Sequence, residues 1–316
     1  YFLNIYMTIA LLFPGQGSQF IGMGKDFYDR YESAKSVYNE LDLALNRPLS
    51  DLIFNGSDID ISLTTNSQPA IMATSIAIFR TIQAEKLIDT NNIKFVAGHS
   101  LGEYSSLVAN ESLEFSDAAK LLKIRSEAMQ ESMPVGTGGM AALIGASLEQ
   151  IDDILPELNE HGKIYIANDN ANGQVVLSGE ISAIDYICDN SKKYNIKRAI
   201  KLPVSAPFHC ELMAAAAEKM KIELENIKIK PPIVPIVSNV SAQAISEPTE
   251  IKKLLVSQVT GSVRWRESIM WMAKNKVDEI WEVGSGKALS GMIRRIDKNI
   301  NLMNISSPED IRTVKF

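Results

Sequence analysis

The sequence predicts an α/β protein in which a domain with a parallel sheet carries a smaller, inserted subdomain. Short apolar runs, each typical of a buried strand, alternate with amphipathic helical patterns near both ends of the chain. Between them, residues 133–203 follow the order β-α-β-β-α-β, the split βαβ arrangement of a ferredoxin-like subdomain. At 316 residues the chain is near the size at which one core divides in two. We therefore expect a discontinuous larger domain, residues 7–132 and 204–316, and a ferredoxin-like subdomain over residues 133–203.

The composition is that of a globular protein, with 46% hydrophobic and 22% charged residues. A net charge of −6 disfavours a nucleic-acid partner, because no excess of Lys and Arg is available to neutralise phosphates. Cys188 and Cys210 have neither metal-ligand nor redox spacing, so we expect no metal and a reducing, cytoplasmic location. Residues 1–13 are apolar but too short to span a bilayer, so no membrane partner is expected. Residues 1–6 precede Met7 and are interpreted as an extension.

The first strand is predicted over residues 8–13 and runs into the loop Pro14-Gly-Gln-Gly-Ser18. Loops at the carboxyl ends of parallel strands hold ligand sites in open α/β sheets, which makes Gln16 a candidate site residue. A plain glycine turn is the alternative. Helices are predicted over residues 32–45, 67–87 and 117–131. Pro69 would lie in the first turn of the second helix, and Ser116 would cap the third.

A tight turn follows the second apolar run of the larger domain. Residues 95–97 read as a strand, the sequence Gly98-His-Ser-Leu-Gly102 follows, and a helical pattern resumes at Glu103. This strand-turn-helix context is that of a nucleophile elbow, in which side chains at the two glycines would collide with neighbouring backbone. Ser100 is therefore the candidate nucleophile, and a glycine-rich turn with an idle serine is the alternative.

The remaining elements alternate regularly. Within the subdomain, strands are predicted over residues 140–144, 164–168, 174–178 and 198–202, and helices over 148–158 and 182–194. Beyond it, helices are predicted over residues 211–224, 250–259 and 266–274, and strands over 233–237 and 278–283. The loop Gly284-Ser-Gly-Lys287 precedes a further helix but is not a phosphate cradle. A dinucleotide fingerprint requires a small residue in place of Leu289, and a P-loop requires Ser or Thr in place of Ala288.

A serine hydroxyl is a weak nucleophile and needs a base, most often a histidine. His209 comes after the candidate serine in the chain, as in the α/β-hydrolase order, and is the predicted base; a core histidine is the alternative. His99 is interpreted as a structural hydrogen-bonding residue and His161 as a solvated turn residue. No Asp or Glu is marked by its context as a third triad member, so an amide or a backbone carbonyl is expected to orient the imidazole. Asn239 and Gln258 are the amides to consider.

Two further tasks of acyl-transfer chemistry have candidate residues. An oxyanion hole needs two N–H donors, one of them from the residue after the nucleophile, which is Leu101. The loop of Gln16 is the candidate for the second donor. Arg125 would bind a substrate carboxylate if it lay in the pocket, because a guanidinium pairs bidentately and keeps its charge. A surface arginine on a helix is the alternative.

Several short motifs, in order along the chain, carry a resemblance to a known family. The motifs are Phe13-Pro-Gly-Gln-Gly-Ser-Gln19, Gly98-His-Ser-Leu-Gly-Glu103, Arg125 with Met129-Gln-Glu131, Gly139-Met-Ala-Ala142, Gln174-Val-Val-Leu-Ser-Gly179, Ala206-Pro-Phe-His209 and Glu282-Val-Gly284. Over residues 7–296 the chain therefore resembles the malonyl-CoA:acyl carrier protein transacylases of fatty-acid synthesis and the related acyltransferase domains of polyketide synthases.

The resemblance implies ping-pong acyl transfer. Ser100 would take malonyl from malonyl-CoA, with His209 as the base, and the phosphopantetheine thiol of acyl carrier protein would then collect it. The coenzyme A thioester is a substrate in this scheme, and no bound cofactor is implied. The expected partners are malonyl-CoA and acyl carrier protein, and we expect a monomer.

By matching position, the resemblance also assigns the remaining site residues. Arg125 would clamp the malonyl carboxylate, and Gln16 with Leu101 would form the oxyanion hole. Asn170 is similar to an asparagine near the bound substrate, and Gln258 to a glutamine near the active site. The implied fold is an α/β-hydrolase-like core with an inserted ferredoxin-like subdomain.

Two other functions are compatible with the same residues. A serine thioesterase or esterase would use the same Ser100 and His209, but Arg125 and the missing triad acid favour transfer over hydrolysis. A non-catalytic module that binds carrier protein would retain the fold without the chemistry.

Overall fold

The computed structural model of the chain describes residues 8–312, so the extension predicted at residues 1–6 lies outside the described residues. The strands of the described part are β1 Ile9–Phe13, β2 Ile93–Gly98, β3 Gly138–Ile144, β4 Ile164–Ala171, β5 Gln174–Glu180, β6 Arg198–Lys201, β7 Ile236–Val237, β8 Ala244–Ile245, β9 Glu279–Val283 and β10 Asn301–Ile305. The α-helices are α1 Lys25–Arg30, α2 Glu32–Leu45, α3 Leu49–Asn55, α4 Asp58–Ser62, α5 Thr64–Ala84, α6 Gly102–Ala109, α7 Phe115–Glu131, α8 Leu148–Leu158, α9 Ile181–Asn190, α10 Ala214–Asn226, α11 Pro248–Thr260, α12 Trp265–Lys274, α13 Ala288–Ile296 and α14 Pro308–Ile311. Short 3₁₀ helices lie at Thr90–Asn92, Asn159–His161, Ser191–Tyr194 and Glu211–Met213.

A six-stranded sheet forms the larger unit, in the order β10-β9-β1-β2-β7-β8. Neighbouring strands pair in parallel, except for the antiparallel pair of β7 and β8 at one edge. Every residue of β1 is buried, with Leu11 and Phe13 in one hydrophobic core and Ala10 and Leu12 in another. Because successive side chains of a strand point to opposite faces, both faces of this sheet are covered. The prediction of an α/β fold with a parallel sheet is confirmed.

A four-stranded antiparallel sheet, in the order β4-β5-β3-β6, forms the smaller unit. Its elements follow one another as β-α-β-β-α-β, as the sequence pattern predicts. One face packs under α8 and α9 in a core of its own, to which Leu143 and Ile184 contribute. The opposite face, through Met140 and Val176, packs against the core of the larger unit. The smaller sheet therefore forms one wall of the space between the units.

Strand β4 also joins the two units by backbone hydrogen bonds. The Asp169 N–H donates to the Val263 carbonyl at 3.0 Å, and the Val263 N–H donates to the Ala167 carbonyl at 2.8 Å. The Arg266 guanidinium reinforces this junction through an ion pair with the buried Asp169 carboxylate at 2.9 Å. Because Asn170 is the next residue of β4, these contacts hold it at the boundary between the units.

The start of α5 differs from the prediction. The helix begins at Thr64, so Pro69 lies in its second turn, not in the first turn where a missing N–H does no harm. Proline at that position leaves the Thr65 carbonyl without its helical donor, and Arg47 Nη2 donates to that carbonyl at 3.1 Å. A side chain distant in sequence therefore compensates for the proline, which local pattern alone does not indicate.

Two other local predictions are also wrong. Ser116 lies inside α7, whose N-cap position is Glu114. The strand predicted over residues 233–237 is reduced to β7, Ile236–Val237, and Pro235 before it has no N–H for a sheet hydrogen bond. Several short elements were not predicted from the sequence. These are α1, α3, α4, α14, β8 and β10.

Candidate active site

Three adjacent strands of the larger sheet end side by side, and a candidate residue follows each of them. Gln16 follows β1, Ser100 follows β2 and Asn239 follows β7. Carboxyl ends of parallel strands meet at one edge of a sheet, which brings residues far apart in sequence together. The Ser100 N–H donates to Asn239 Oδ1 at 2.7 Å, and Asn239 Nδ2 donates to the Gly98 carbonyl at 2.7 Å. Asn239 therefore holds the turn from both sides of the candidate nucleophile.

The turn at Ser100 is tight enough to exclude side chains at both flanking glycines. A Cβ at Gly98 would lie 1.9 Å from the backbone of Gly102, and a Cβ at Gly102 would lie 2.3 Å from the Phe13 carbonyl oxygen. Ser100 itself has a φ of 53°, in the left-handed region that residues with a Cβ rarely adopt. The steric reason predicted for the two glycines is confirmed, and the strained serine is typical of a nucleophile elbow.

The serine and the predicted base are in direct contact. Ser100 Oγ lies 2.7 Å from His209 Nε2, and His209 Nδ1 lies 2.8 Å from the backbone carbonyl oxygen of Gln258. A carbonyl oxygen only accepts, so Nδ1 carries the proton and Nε2 presents its lone pair to the serine hydroxyl. The group that orients the imidazole is therefore a backbone carbonyl, one of the two kinds of group expected, and not the side-chain amide of Asn239 or Gln258.

His209 is neutral over the physiological pH range. Burial lowers its pKa to about 3, and the nearby positive charge of Arg125 contributes to the decrease. The imidazole is thus in the unprotonated form that a general base requires. A negative charge next to Arg125 would cancel part of the electrostatic effect by which Arg125 lowers the pKa of His209. The base strength of His209 therefore depends on the charge bound beside Arg125.

Arg125 is not a surface residue, because only 1% of its surface is exposed. Its Nη2 donates to Ser100 Oγ at 3.1 Å and to Gln258 Oε1 at 2.9 Å, and its Nη1 donates to Gln68 Oε1 at 2.6 Å. These acceptors are all neutral. Within residues 8–312 its Nε–H has no hydrogen-bond partner. In the described part of the chain, no carboxylate pairs directly with this guanidinium, which lies beside the nucleophile.

Glu103 is a buried residue of this site that the sequence reading did not identify. Its Oε1 accepts from the Asn239 N–H at 3.1 Å, and its Oε2 accepts a short hydrogen bond from Gln258 Nε2. Burial raises its pKa to about 7, against the opposing effects of these donors and of Arg125. The one feature of the sequence that could have identified Glu103 is its place in the first turn of the helix that follows Ser100.

A pocket of about 210 Å³ opens at Ser100 between the two units. Gln16, Asn170 and His209 line its polar end together with the serine. Its apolar lining includes Met140, Val176, Leu202, Val204, Phe208, Leu289 and Met292. Arg125, which was expected to lie in the pocket, and Gln258 are not among the lining residues; both are buried and contact Ser100 through hydrogen bonds.

The two predicted oxyanion donors are Leu101, within the turn after β2, and Gln16, in the loop after β1. In the part of the chain that the structure describes, neither the Leu101 N–H nor the Gln16 N–H has an acceptor within the protein. The Gln16 side chain is anchored separately, with Nε2 donating to Thr64 Oγ1 at 2.9 Å. Both backbone N–H groups are therefore available to an oxygen atom bound at Ser100.

His99 and Asn170 connect the elbow to the smaller unit. His99 Nε2 lies 2.8 Å from Asn170 Oδ1, and the imidazole packs edge to face against Trp265 with ring centroids 5.4 Å apart. Burial lowers the pKa of His99, so its Nε2 is a neutral donor to the amide oxygen. These contacts confirm the structural hydrogen-bonding role predicted for His99. His161 is exposed, which agrees with the prediction of a solvated turn residue.

Neither a membrane span nor a metal cluster is found in the described chain. No helix within residues 8–312 combines the length and apolar character needed to cross a membrane. Over the same residues, no group of three or more His, Cys, Asp and Glu side chains is arranged to hold a metal ion.

The site is that of an acyltransferase: it combines a serine on a tight turn, a histidine in contact with that serine and a buried arginine. A sequence profile described as the acyl transferase domain matches residues 10–299, and the chain is a member of that family. The family expected from the motifs is therefore confirmed.

The relatives within that family are more specific. Malonyl CoA-acyl carrier protein transacylase of Bacillus subtilis (strain 168) is 42% identical over 304 residues, covering 96% of this chain and 95% of that protein. The acyl-carrier-protein-S-malonyltransferase of Bartonella henselae has a crystal structure that superposes with a TM-score of 0.94 at 47% identity, covering 97% of this chain and 98% of that one. A malonyl-transacylase solved in complex with its type II polyketide acyl-carrier protein superposes with a TM-score of 0.93 at 34% identity, covering 97% and 98% of the two chains.

Proposed function

We propose that this protein transfers a malonyl group from malonyl-CoA to the phosphopantetheine thiol of acyl carrier protein, through a malonyl ester of Ser100. One observation carries the proposal: Ser100 Oγ contacts a neutral histidine at 2.7 Å and a buried guanidinium at 3.1 Å. The histidine supplies a base, and the guanidinium supplies a site for the free carboxylate that distinguishes malonyl from simple acyl groups. The names of the relatives support the same reaction.

The first half of the reaction uses the three groups at the elbow. Ser100 Oγ attacks the thioester carbonyl carbon while His209 Nε2 takes the hydroxyl proton. The carbonyl oxygen becomes an oxyanion, which the N–H groups of Leu101 and Gln16 stabilise. The carbon–sulfur bond then breaks, and the coenzyme A thiolate leaves with the proton from His209.

The second half reverses these events with a different thiol. The phosphopantetheine thiol gives its proton to His209 Nε2, and its sulfur attacks the ester carbonyl of malonyl-Ser100. The ester bond breaks, and Ser100 Oγ regains a proton from the imidazolium. Arg125 holds the malonyl carboxylate throughout, Gln258 supports Arg125 and His209, and Asn170 contacts the bound acyl thioester from the smaller unit.

We also propose a finer assignment of the two units of the fold. The larger unit is an α/β-hydrolase-like core formed by residues 7–132 and 204–316, and residues 133–203 form a ferredoxin-like subdomain. Support comes from the strand order of the smaller sheet, in which the first and third strands of the motif are central neighbours. Cys188 and Cys210 are free thiols, in keeping with a cytoplasmic location.

Intact mass spectrometry tests the proposed function directly. After incubation with malonyl-CoA, the protein is expected to gain one malonyl group, and Ser100→Ala, with the same fold, is expected to gain none. Addition of carrier protein bearing phosphopantetheine should discharge the label onto its thiol. Absence of a malonyl adduct on the folded wild-type protein would refute the proposal in favour of a non-catalytic module. Release of free malonate at the same rate with and without the carrier would identify a hydrolase.

A further inference from the structure

Glu103 is a buried carboxylate that none of the steps above uses. It lies in the first turn of α6, three residues after the nucleophile, and is 3% exposed. One carboxylate oxygen accepts from the Asn239 N–H, and the other accepts from Gln258 Nε2. A buried carboxylate with strong donors on both oxygens has a defined position and imposes one on its partners.

The partner whose orientation matters is the Gln258 amide. Its Nε2 also donates to the Ser100 carbonyl at 3.0 Å, and its Oε1 accepts from Arg125 Nη2 at 2.9 Å. A guanidinium only donates, so the amide oxygen must face Arg125, and the NH₂ faces its two acceptors, Glu103 Oε2 and the Ser100 carbonyl. Glu103 therefore acts with the Ser100 carbonyl to set which end of this amide is presented to the guanidinium.

The interposed amide also keeps the two charges apart. Among the described residues, the acceptors of Arg125 are the amide oxygens of Gln68 and Gln258 and the hydroxyl of Ser100. A glutamate paired directly with Arg125 would compete with a substrate carboxylate for the guanidinium. With Gln258 between them, Glu103 in its ionised form offsets part of the buried positive charge of Arg125 and leaves the guanidinium to bind an incoming anion.

We propose that Glu103 is a positioning residue that determines acyl selectivity, because it orients the Gln258 amide and thereby directs Arg125 toward the carboxylate of the acyl group. The proposal rests on the proposed function. Glu103 touches neither the acyl group nor His209, so its effect on the reaction is transmitted through Gln258.

The substitution Glu103→Gln tests this role at constant side-chain size. A glutamine that still accepts from the Asn239 N–H presents its NH₂ to the NH₂ of Gln258. Rotation of the Gln258 amide removes that conflict but turns its NH₂ toward Arg125. We expect kcat/KM for malonyl-CoA to fall roughly 10- to 100-fold, mainly through KM. We expect kcat/KM for acetyl-CoA, the uncharged probe, to fall less than about threefold. A purely structural role would lower both values together.

Two further variants complete the experiment. The control is Glu282→Gln, which alters another buried glutamate that accepts from the N–H groups of Leu289 and Ser290 at the start of α13. This control is expected to lower stability without changing the malonyl-to-acetyl ratio. Gln258→Met removes the amide through which Glu103 acts and keeps a side chain of similar length. It is expected to lower the malonyl-to-acetyl ratio in the same direction as Glu103→Gln, and it tests the proposal even if Glu103→Gln does not fold.

The outcomes separate this inference from the proposed function. Failure of the wild-type protein to form malonyl-Ser100 would refute the proposed function. If the wild type forms the ester and folded Glu103→Gln keeps the wild-type malonyl-to-acetyl ratio, the role of Glu103 is overturned. A folded Gln258→Met variant that keeps the wild-type malonyl-to-acetyl ratio would overturn it as well.

Discussion

Replacing Arg125 with alanine is expected to abolish the preference for a charged acyl group. The guanidinium is 1% exposed and lies 3.1 Å from Ser100 Oγ, so a malonyl carboxylate bound there is removed from water. Without the arginine this carboxylate has no partner of opposite charge at that position, whereas an acetyl group loses no such partner.

The magnitude follows from the burial of the pair. Truncating one member of a buried, hydrogen-bonded charge pair costs about 2 to 4 kcal/mol, since the remaining charge is left unpaired. That range corresponds to a decrease of roughly 30- to 1000-fold in kcat/KM for malonyl-CoA. The decrease for acetyl-CoA is expected to be much smaller, because it reflects only the loss of the contacts to Ser100 and Gln258.

The assay compares kcat/KM for malonyl-CoA and acetyl-CoA with the same carrier protein. Arg30→Ala is the matched control, since it removes an arginine whose ion pair with Glu309 lies at the surface. Thermal unfolding midpoints would show that all variants are folded. An equal loss for both acyl groups in Arg125→Ala would remove the residue from the role of carboxylate clamp.

Two further predictions concern stability. Gly98→Ala is expected to prevent correct folding or activity, because its Cβ would lie 1.9 Å from the Gly102 backbone. Gly291→Ala in α13, whose Cβ would have nothing within 4 Å, is expected to stabilise the protein by about 1 kcal/mol. Equal unfolding midpoints for the two variants would contradict the steric argument. His209 has a native pKa of about 3 against an ordinary value of 6.5, so between these pH values the unfolded chain binds a proton that the native state does not. The unfolding free energy is therefore expected to rise with pH across this window, with a contribution of up to about 1.4 kcal/mol per pH unit. Urea unfolding from pH 4.5 to 6.5 is expected to show a shallower slope for His209→Gln, and an unchanged slope would argue against a buried neutral histidine.

The residues that local pattern identified are those whose function imposes a local constraint. A serine on a strained turn requires small neighbours, so Gly98 and Gly102 mark Ser100 in the sequence itself. Strands and helices of ordinary length, such as β1 and α2, were predicted because a buried strand and an amphipathic helix each have a periodic signature. Short elements such as α4 and β8 lack that signature.

Other parts of the site depend on residues that meet only in the folded chain. Glu103 and Gln258 are 155 residues apart, and nothing in either local sequence indicates that one orients the other. The same holds for the backbone carbonyl of Gln258 that orients His209, since every residue of the chain has the same backbone carbonyl group.

The α/β class, the order of most of the longer elements and the candidate nucleophile follow from the sequence alone, because periodicity and turn chemistry act over a few residues. The family follows from the order of short motifs along the chain. Three features depend on the packing of the folded chain: the burial of Arg125, the backbone carbonyl that orients His209 in place of a third triad residue, and the contact of Glu103 with Gln258. These features arise where the carboxyl ends of parallel strands converge. Their distances depend on how the whole chain packs, which no local pattern specifies.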